Sequence, residues 1–92
     1  MGFVHQVPRI IAREIIEQLA GNRFGVYGIF NFFRCIYVGK GDIRSRLLTH
    51  IASPQILSYA PTHWVAELTP LSAIREKQLI LELQPLCNQR LG

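Results

Sequence analysis

At 92 residues the chain has the size of one small domain, and its 49% hydrophobic and 17% charged content is that of a folded globule rather than a disordered tail. Ten Lys and Arg against six Asp and Glu give a formal charge of +4 and a sequence pI of about 9.6; eight of the ten are arginine, whose planar fork suits phosphate, so the charge mildly favours nucleic acid as a partner. No uncharged apolar stretch reaches the roughly 18 residues of a membrane span, and no basic region followed by a long apolar run marks a signal peptide, so no membrane association and a cytoplasmic location are expected.

Residues 8–20 read as a helix. Pro8 suits its first turn and Gly21-Asn22 its end, and Ile11, Ile15 and Leu19 repeat every four residues as an apolar stripe. Arg9 and Arg13 are more simply charges on its solvated face than a grip on DNA. Residues 24–30 and 35–39 are rich in β-branched and aromatic types and read as strands joined by a short hairpin link near residues 31–34. Gly39 and Gly41 are expected to break the second strand. Asp42 can then cap a helix to about residue 52, with Ile43, Leu47 and Ile51 on one side, and Ser53-Pro54 ends it. Residues 54–61 read as a loop or short turn, and 63–68 as a third strand. Thr69-Pro70 opens a last helix, to about residue 83, which Pro85 stops. No repeat, linker or low-complexity stretch interrupts this single domain.

Glu76 is the most telling residue. At about 100° per residue, Ser72, Ala73, Leu79, Ile80 and Leu83 fall within roughly 60° of it, so a carboxylate sits in a small or apolar arc. Such a group is paired, metal-bound or held at an edge, and a structural ion pair explains it as well as chemistry does. Ile74 and Leu81, on the opposite arc, are expected to pack against the N-terminal helix. Arg46 and His50 are four residues apart and share a helix face, either as exposed charges or as a phosphate site; Arg44 points roughly 200° away. Tyr27 and Tyr37 are ordinary strand tyrosines taken singly. Gly25, Gly28, Gly39 and Gly41 together point to close backbone or ligand approach. Gly39-Lys40-Gly41 is no Walker A loop, and there is no Gly-x-Ser-x-Gly elbow. Cys35 and Cys87 read as reduced thiols, with a disulfide left open, and with His5, His50 and His63 they form none of the close pairs of a zinc site.

Taken in order, these residues resemble the GIY-YIG nuclease family. Gly25-Val26-Tyr27 stands at the first motif and Tyr37-Val38-Gly39 at the second, each with valine for isoleucine, and Lys40 follows where many members carry lysine. Arg46 with His50 is similar to the motif arginine and its partner one turn on. Glu76, Leu79-Ile80, Pro85 and Asn88 are similar to the closing pattern. The match covers residues 24–88. The stretch from Gly39 to Arg46 is one residue shorter than in many members, which leaves Arg44 as a competitor for Arg46, and residues 1–22 form an N-terminal helical extension ahead of the motifs.

The resemblance implies an α+β fold: a small, largely antiparallel three-stranded sheet flanked by helices. It implies a metal-dependent endonuclease acting on DNA, in repair, recombination or mobile-element processing. Glu76 would hold one Mg²⁺ or Mn²⁺. Tyr27 would be the general base or would position the attacking water, with Lys40 easing its ionisation. Tyr37 and His50 would hydrogen-bond the phosphate or the water, Arg46 would neutralise transition-state charge, and Asn88 would brace the site. A protein partner or a homodimer would supply sequence specificity. The competing readings are a noncatalytic nucleic-acid-binding module on the same fold and an interaction protein whose outer helices dock a partner.

Overall fold

The computed structural model describes residue 3 and residues 7–87. The element order is β1 (Arg9–Ile10), α1 (Arg13–Glu17), β2 (Phe24–Asn31), β3 (Arg34–Asp42), α2 (Ile43–Ile51), α3 (Pro54–Leu57), β4 (His63–Leu68) and α4 (Ser72–Leu83). The strands form one antiparallel sheet in the order β1-β4-β2-β3. The α+β class thus holds, with four strands where three were expected.

The extra strand comes from the segment read as the start of a helix. Arg9 pairs with Trp64 and Ile10 with His63, and Ile11 N–H donates to Thr62 O at 2.9 Å. These bonds satisfy backbone groups along β4 that would otherwise be left at an open edge. The Arg9 guanidinium lies 5.8 Å from the centre of the Trp64 ring, a cation–π contact that also favours the extended path. The helix over 8–20 therefore shrinks to α1, which begins after Ala12 in an extended conformation and ends by Gln18. Its stripe also shifts: Ile16 is fully buried while Ile15 is exposed.

β3 runs straight through the glycines expected to break it. Gly39 pairs with Tyr27, Lys40 with Val26 and Gly41 with Gly25. Gly25 sits in the middle of the sheet because a Cβ there would strike the Glu67 carbonyl and come within 2.8 Å of Leu68 Cα. These glycines serve close approach rather than termination. Asp42 ends the strand and caps α2, its carboxylate accepting from Ser45 N–H at 3.0 Å and from Arg23 N–H at 3.2 Å.

Strand alternation sends successive residues to opposite faces, except at a bulge opposite Ile29 and Phe30, where the neighbours Ile36 and Tyr37 share one. Tyr27, Ile29, Ile36, Tyr37 and Trp64 join Ile16, Ile43, Leu47 and Ile56 in the core under α1, α2 and α3. Val26, Cys35 and Val38 join Leu79 on the α4 face. A two-pronged ion pair, Arg75 to Glu67 at 2.7 and 3.1 Å, ties α4 to β4. The expected docking of α4 on the N-terminal helix is absent. α1 packs on α2, and Ile74 and Leu81 face outward, 58% and 72% exposed. The sheet lies between the two helices, so α4's inner arc meets strands instead. Both cysteines are buried and form no disulfide, on opposite faces of the sheet.

Candidate active site

The expected residues converge on Gly39. Tyr27 is fully buried in the middle of β2, and its phenol crosses directly over Gly39 of the neighbouring strand. A Cβ on Gly39 would strike the Tyr27 hydroxyl and lie 2.6 Å from Cζ, and would come within 2.8 Å of Tyr37 Cε2. The missing side chain is therefore the gap through which both phenols pass. His50 completes an aromatic trio, with its ring 4.5 Å from that of Tyr37 and 5.7 Å from that of Tyr27; the two tyrosine rings are 6.2 Å apart.

α2 supplies His50 and Arg46 because its start is fixed by Asp42, whose carboxyl is held below its usual range by hydrogen bonds from Ser45 and the Arg23 backbone. Gly41 precedes it with a φ of +130°, a conformation that favours glycine. A Cβ there would press on Arg46 Cγ at 3.2 Å, so Gly41 also makes room for the arginine stem. Arg46 Nη2 lies 3.4 Å from His50 Nε2. Arginine can only donate, so the imidazole accepts through Nε2 and carries its proton on Nδ1. Arg44 turns away and donates from Nε to Glu17 O at 3.0 Å, which settles which of the two arginines faces the tyrosines.

Lys40 and Glu76 approach from the other face. Lys40 is opposite Val26 in the register, on the α4 side, and its Nζ stands 3.6 Å from Glu76 Oε1. That separation is an ion pair too long for a good hydrogen bond. The Glu76 side chain is 23% exposed. Its negative charge disfavours ionisation of both Tyr27 and Tyr37.

Electrostatics keep the phenols protonated. Burial pushes the Tyr27 pKa far above its ordinary value of 10, and Tyr37 is raised for the same reason; Arg46 opposes both shifts. Arg46, not Lys40, is thus the cation that eases a phenolate here, because Lys40 is engaged by Glu76. The Tyr27 hydroxyl is buried without a hydrogen-bond partner, so the influence of Arg46 on it is electrostatic rather than a bond of good geometry. The His50 pKa is lowered, first by burial and then by Arg46.

Beside this cluster opens a cleft of about 290 Å³, lined by Tyr37, Arg46, His50, Ser53, Gln55, Ile56 and Cys87. Gln55 had no part in the sequence reading, where Ser53 was only a helix end and Cys87 only a reduced thiol. Polar types near Ser53-Pro54 carry no periodic signal, and Cys87 is brought in by its backbone, whose N–H donates to Ile36 O at 2.8 Å. Asn88 lies outside the described residues. Among the described residues no three His, Cys, Asp or Glu side chains gather as a metal cage. Glu76 is a single carboxylate, paired with Lys40 across 3.6 Å.

No family model, curated protein or solved structure matches this chain.

Proposed function

We propose that the protein is a divalent-metal-dependent endonuclease that hydrolyses phosphodiester bonds in DNA, with a GIY-YIG-like site built around Gly39. The supporting observation is the grouping of Tyr27, Tyr37, His50 and Arg46, drawn from β2, β3 and α2, with Glu76, paired to Lys40, close enough for its charge to act on both phenols. A purely structural tyrosine at the depth of Tyr27 would normally be hydrogen-bonded.

Arg46 is set to donate two hydrogen bonds to a phosphate and to oppose charge growing on it. Tyr37 and neutral His50 line the same cleft and offer further hydrogen bonds to the phosphate or to water. Tyr27 enters the reaction as a phenol, because burial and Glu76 disfavour its anion. It orients the attacking water through its hydroxyl; to accept the water's proton it would first have to give its own phenolic proton to solvent, a cost that Arg46 lowers. Glu76 would hold Mg²⁺ or Mn²⁺, and the bound ion supplies Lewis-acid stabilisation of the departing oxygen. Lys40 keeps the carboxylate aimed by its ion pair.

Labelled duplex, branched and single-stranded DNA incubated with Mg²⁺, Mn²⁺ or EDTA, alongside folded Glu76→Gln protein, tests the reading. Cutting that needs metal and is lost in the variant is the expected result. DNA binding without cutting on any substrate would replace it with the noncatalytic module.

A further inference from the structure

We propose that the tip of the β2–β3 hairpin, Phe32 and Phe33, is a second binding site: a stacking platform for an unpaired base of nucleic acid. It rests on the nucleic-acid partner of the proposed function but lies apart from the cluster at Gly39. Phe33 lies four positions before Tyr37, about 13 Å along the strand at roughly 3.3 Å per residue.

Phe33 is 99% exposed and Phe32 64%. Two bare aromatic rings at the end of a hairpin lose burial that any polar turn residue would not need. Phe32 also carries a φ of +50°, at a loop position where glycine is the usual residue. Bulk is thus present at a site where the fold alone would favour a small residue, and strain of this sort marks places shaped for contact.

The tip is also braced. Asn31 Nδ2 donates to Ala60 O at 2.8 Å and to Tyr59 O at 3.3 Å, and Phe32 N–H donates to Thr62 Oγ1 at 2.7 Å. Thr62 Oγ1 is in turn 2.7 Å from His63 Nδ1. The His63 ring lies 5.7 Å from that of Phe32. With Pro8 these rings line a shallow shelf of about 190 Å³, which suits a flat ring.

The charge around the shelf selects the occupant. Arg34 follows Phe33 directly and is exposed, and it supplies the positive charge at the tip. The segments that form the tip and its supports, residues 7–11, 31–34 and 59–63, contain no Asp or Glu. Aromatic rings flanked by arginine with no acidic neighbour fit a polyanion that offers π faces, and a base can reach them only where it is unpaired. The site therefore favours single strands, flaps, branches or gaps over continuous duplex.

The test measures binding in EDTA, so that no cutting intervenes, with 2-aminopurine placed in a single-stranded oligonucleotide and in a blunt duplex of equal length. Wild type should bind the single strand with quenched fluorescence. Phe33→Ala should weaken that binding about tenfold, lose the quench and leave the duplex affinity unchanged. Phe33→Trp should restore both, and Leu81→Ala, an exposed apolar change on α4, should alter neither. Full exposure of Phe33 makes misfolding an unlikely confounder, which a melting curve checks. Equal single-strand affinity in Phe33→Ala and wild type overturns the platform. So does loss of self-association in Phe33→Ala with oligonucleotide binding intact, which would make the tip a contact between copies. Phe33-dependent binding without cutting in Mg²⁺ keeps the platform and removes the nuclease; cutting with Phe33-independent binding does the reverse. Wild type that binds neither oligonucleotide overturns both.

Discussion

Replacing Tyr27 by phenylalanine should make the protein more stable and inactive. The phenol oxygen is buried with no hydrogen-bond partner, and an unsatisfied buried polar group costs about 1–3 kcal/mol. Deleting it leaves a void on the order of 10 Å³, a loss of about 0.2 kcal/mol at roughly 24 cal/mol/Å³. The ring itself, with its contacts to Tyr37 and His50, stays. A gain of about 1 kcal/mol is therefore expected, which for a domain of this size raises the melting temperature by about 4–8 °C. The sign with pH is also fixed. Tyr27's folded pKa is raised above 10, so its contribution is whole below pH 10 and falls as pH rises toward the folded value. The variant lacks that titration, so its advantage widens above pH 10, by up to about 1.4 kcal/mol per pH unit. Thermal and urea melts of both proteins at pH 7.5 and 10.5, with cleavage assays at pH 7.5, read all of this. A melting temperature lowered by several degrees would mean that the hydroxyl has a partner in solution, and the reasoning fails. Cleavage retained at wild-type rate would remove Tyr27 from the chemistry.

Gly39→Ala should cost about 1–3 kcal/mol by overpacking. Adding Tyr27→Phe should recover part of that loss, since the new methyl meets the hydroxyl first; melts of the four proteins give the coupling. Arg46→Ala should lower cleavage sharply and reduce the salt slope of DNA binding by about one. Arg44→Ala should leave both intact and lower stability slightly, because Arg44 only ties α2 to the end of α1. His50's folded pKa lies below its ordinary value, so its contribution is whole above about pH 6.5 and is lost as pH falls through the folded pKa; urea titrations between pH 5 and 7.5 should show that loss in wild type and not in His50→Gln. Burial holds the Cys35 pKa at about 12, so at pH 8 it should resist a thiol reagent in the folded protein and react on denaturation.

The strands and α2 were legible because their signals are local. Alternating Val, Ile and Tyr mark β2 and β3, and Asp42 bonds the Ser45 amide as its position implies. The helix at 8–20 was misread because an apolar period of four also suits a chain that must first complete a sheet. Nothing near Arg9 announces that β4 leaves backbone groups to be paired by it. The outward face of α4 failed for a similar reason. Its amphipathicity shows that one arc is buried, not whether a strand or a helix buries it, and the sheet intervenes. The angle set Arg46 and Arg44 on different faces without saying which one meets the tyrosines, and the Arg44 bond to Glu17 O decides that. The lysine's part was not legible, since its partner Glu76 lies 36 positions away in sequence and the pair exists only once α4 lies on β3.

The two faces of a sheet are normally insulated from each other by the side chains that alternate along it. Here the tyrosines, His50 and Arg46 belong to the α2 face, and Lys40 and Glu76 to the α4 face. Gly39 has no side chain on the α2 face, so the Tyr27 phenol lies over the backbone of β3, the outermost strand, where the charge of Glu76 still acts on it. A site assembled in this way needs no long loop to gather its groups, and a small domain can hold it on rigid strands and helices. It also places the cost in one spot, an unsatisfied phenol beside a glycine, and the extensive pairing of β2 on both its edges holds that strained arrangement in place. On this view the two Gly-Val or Val-Gly patches of the sequence are not two motifs but one object, the tyrosine of the first and the glycine of the second meeting face to face across the ladder.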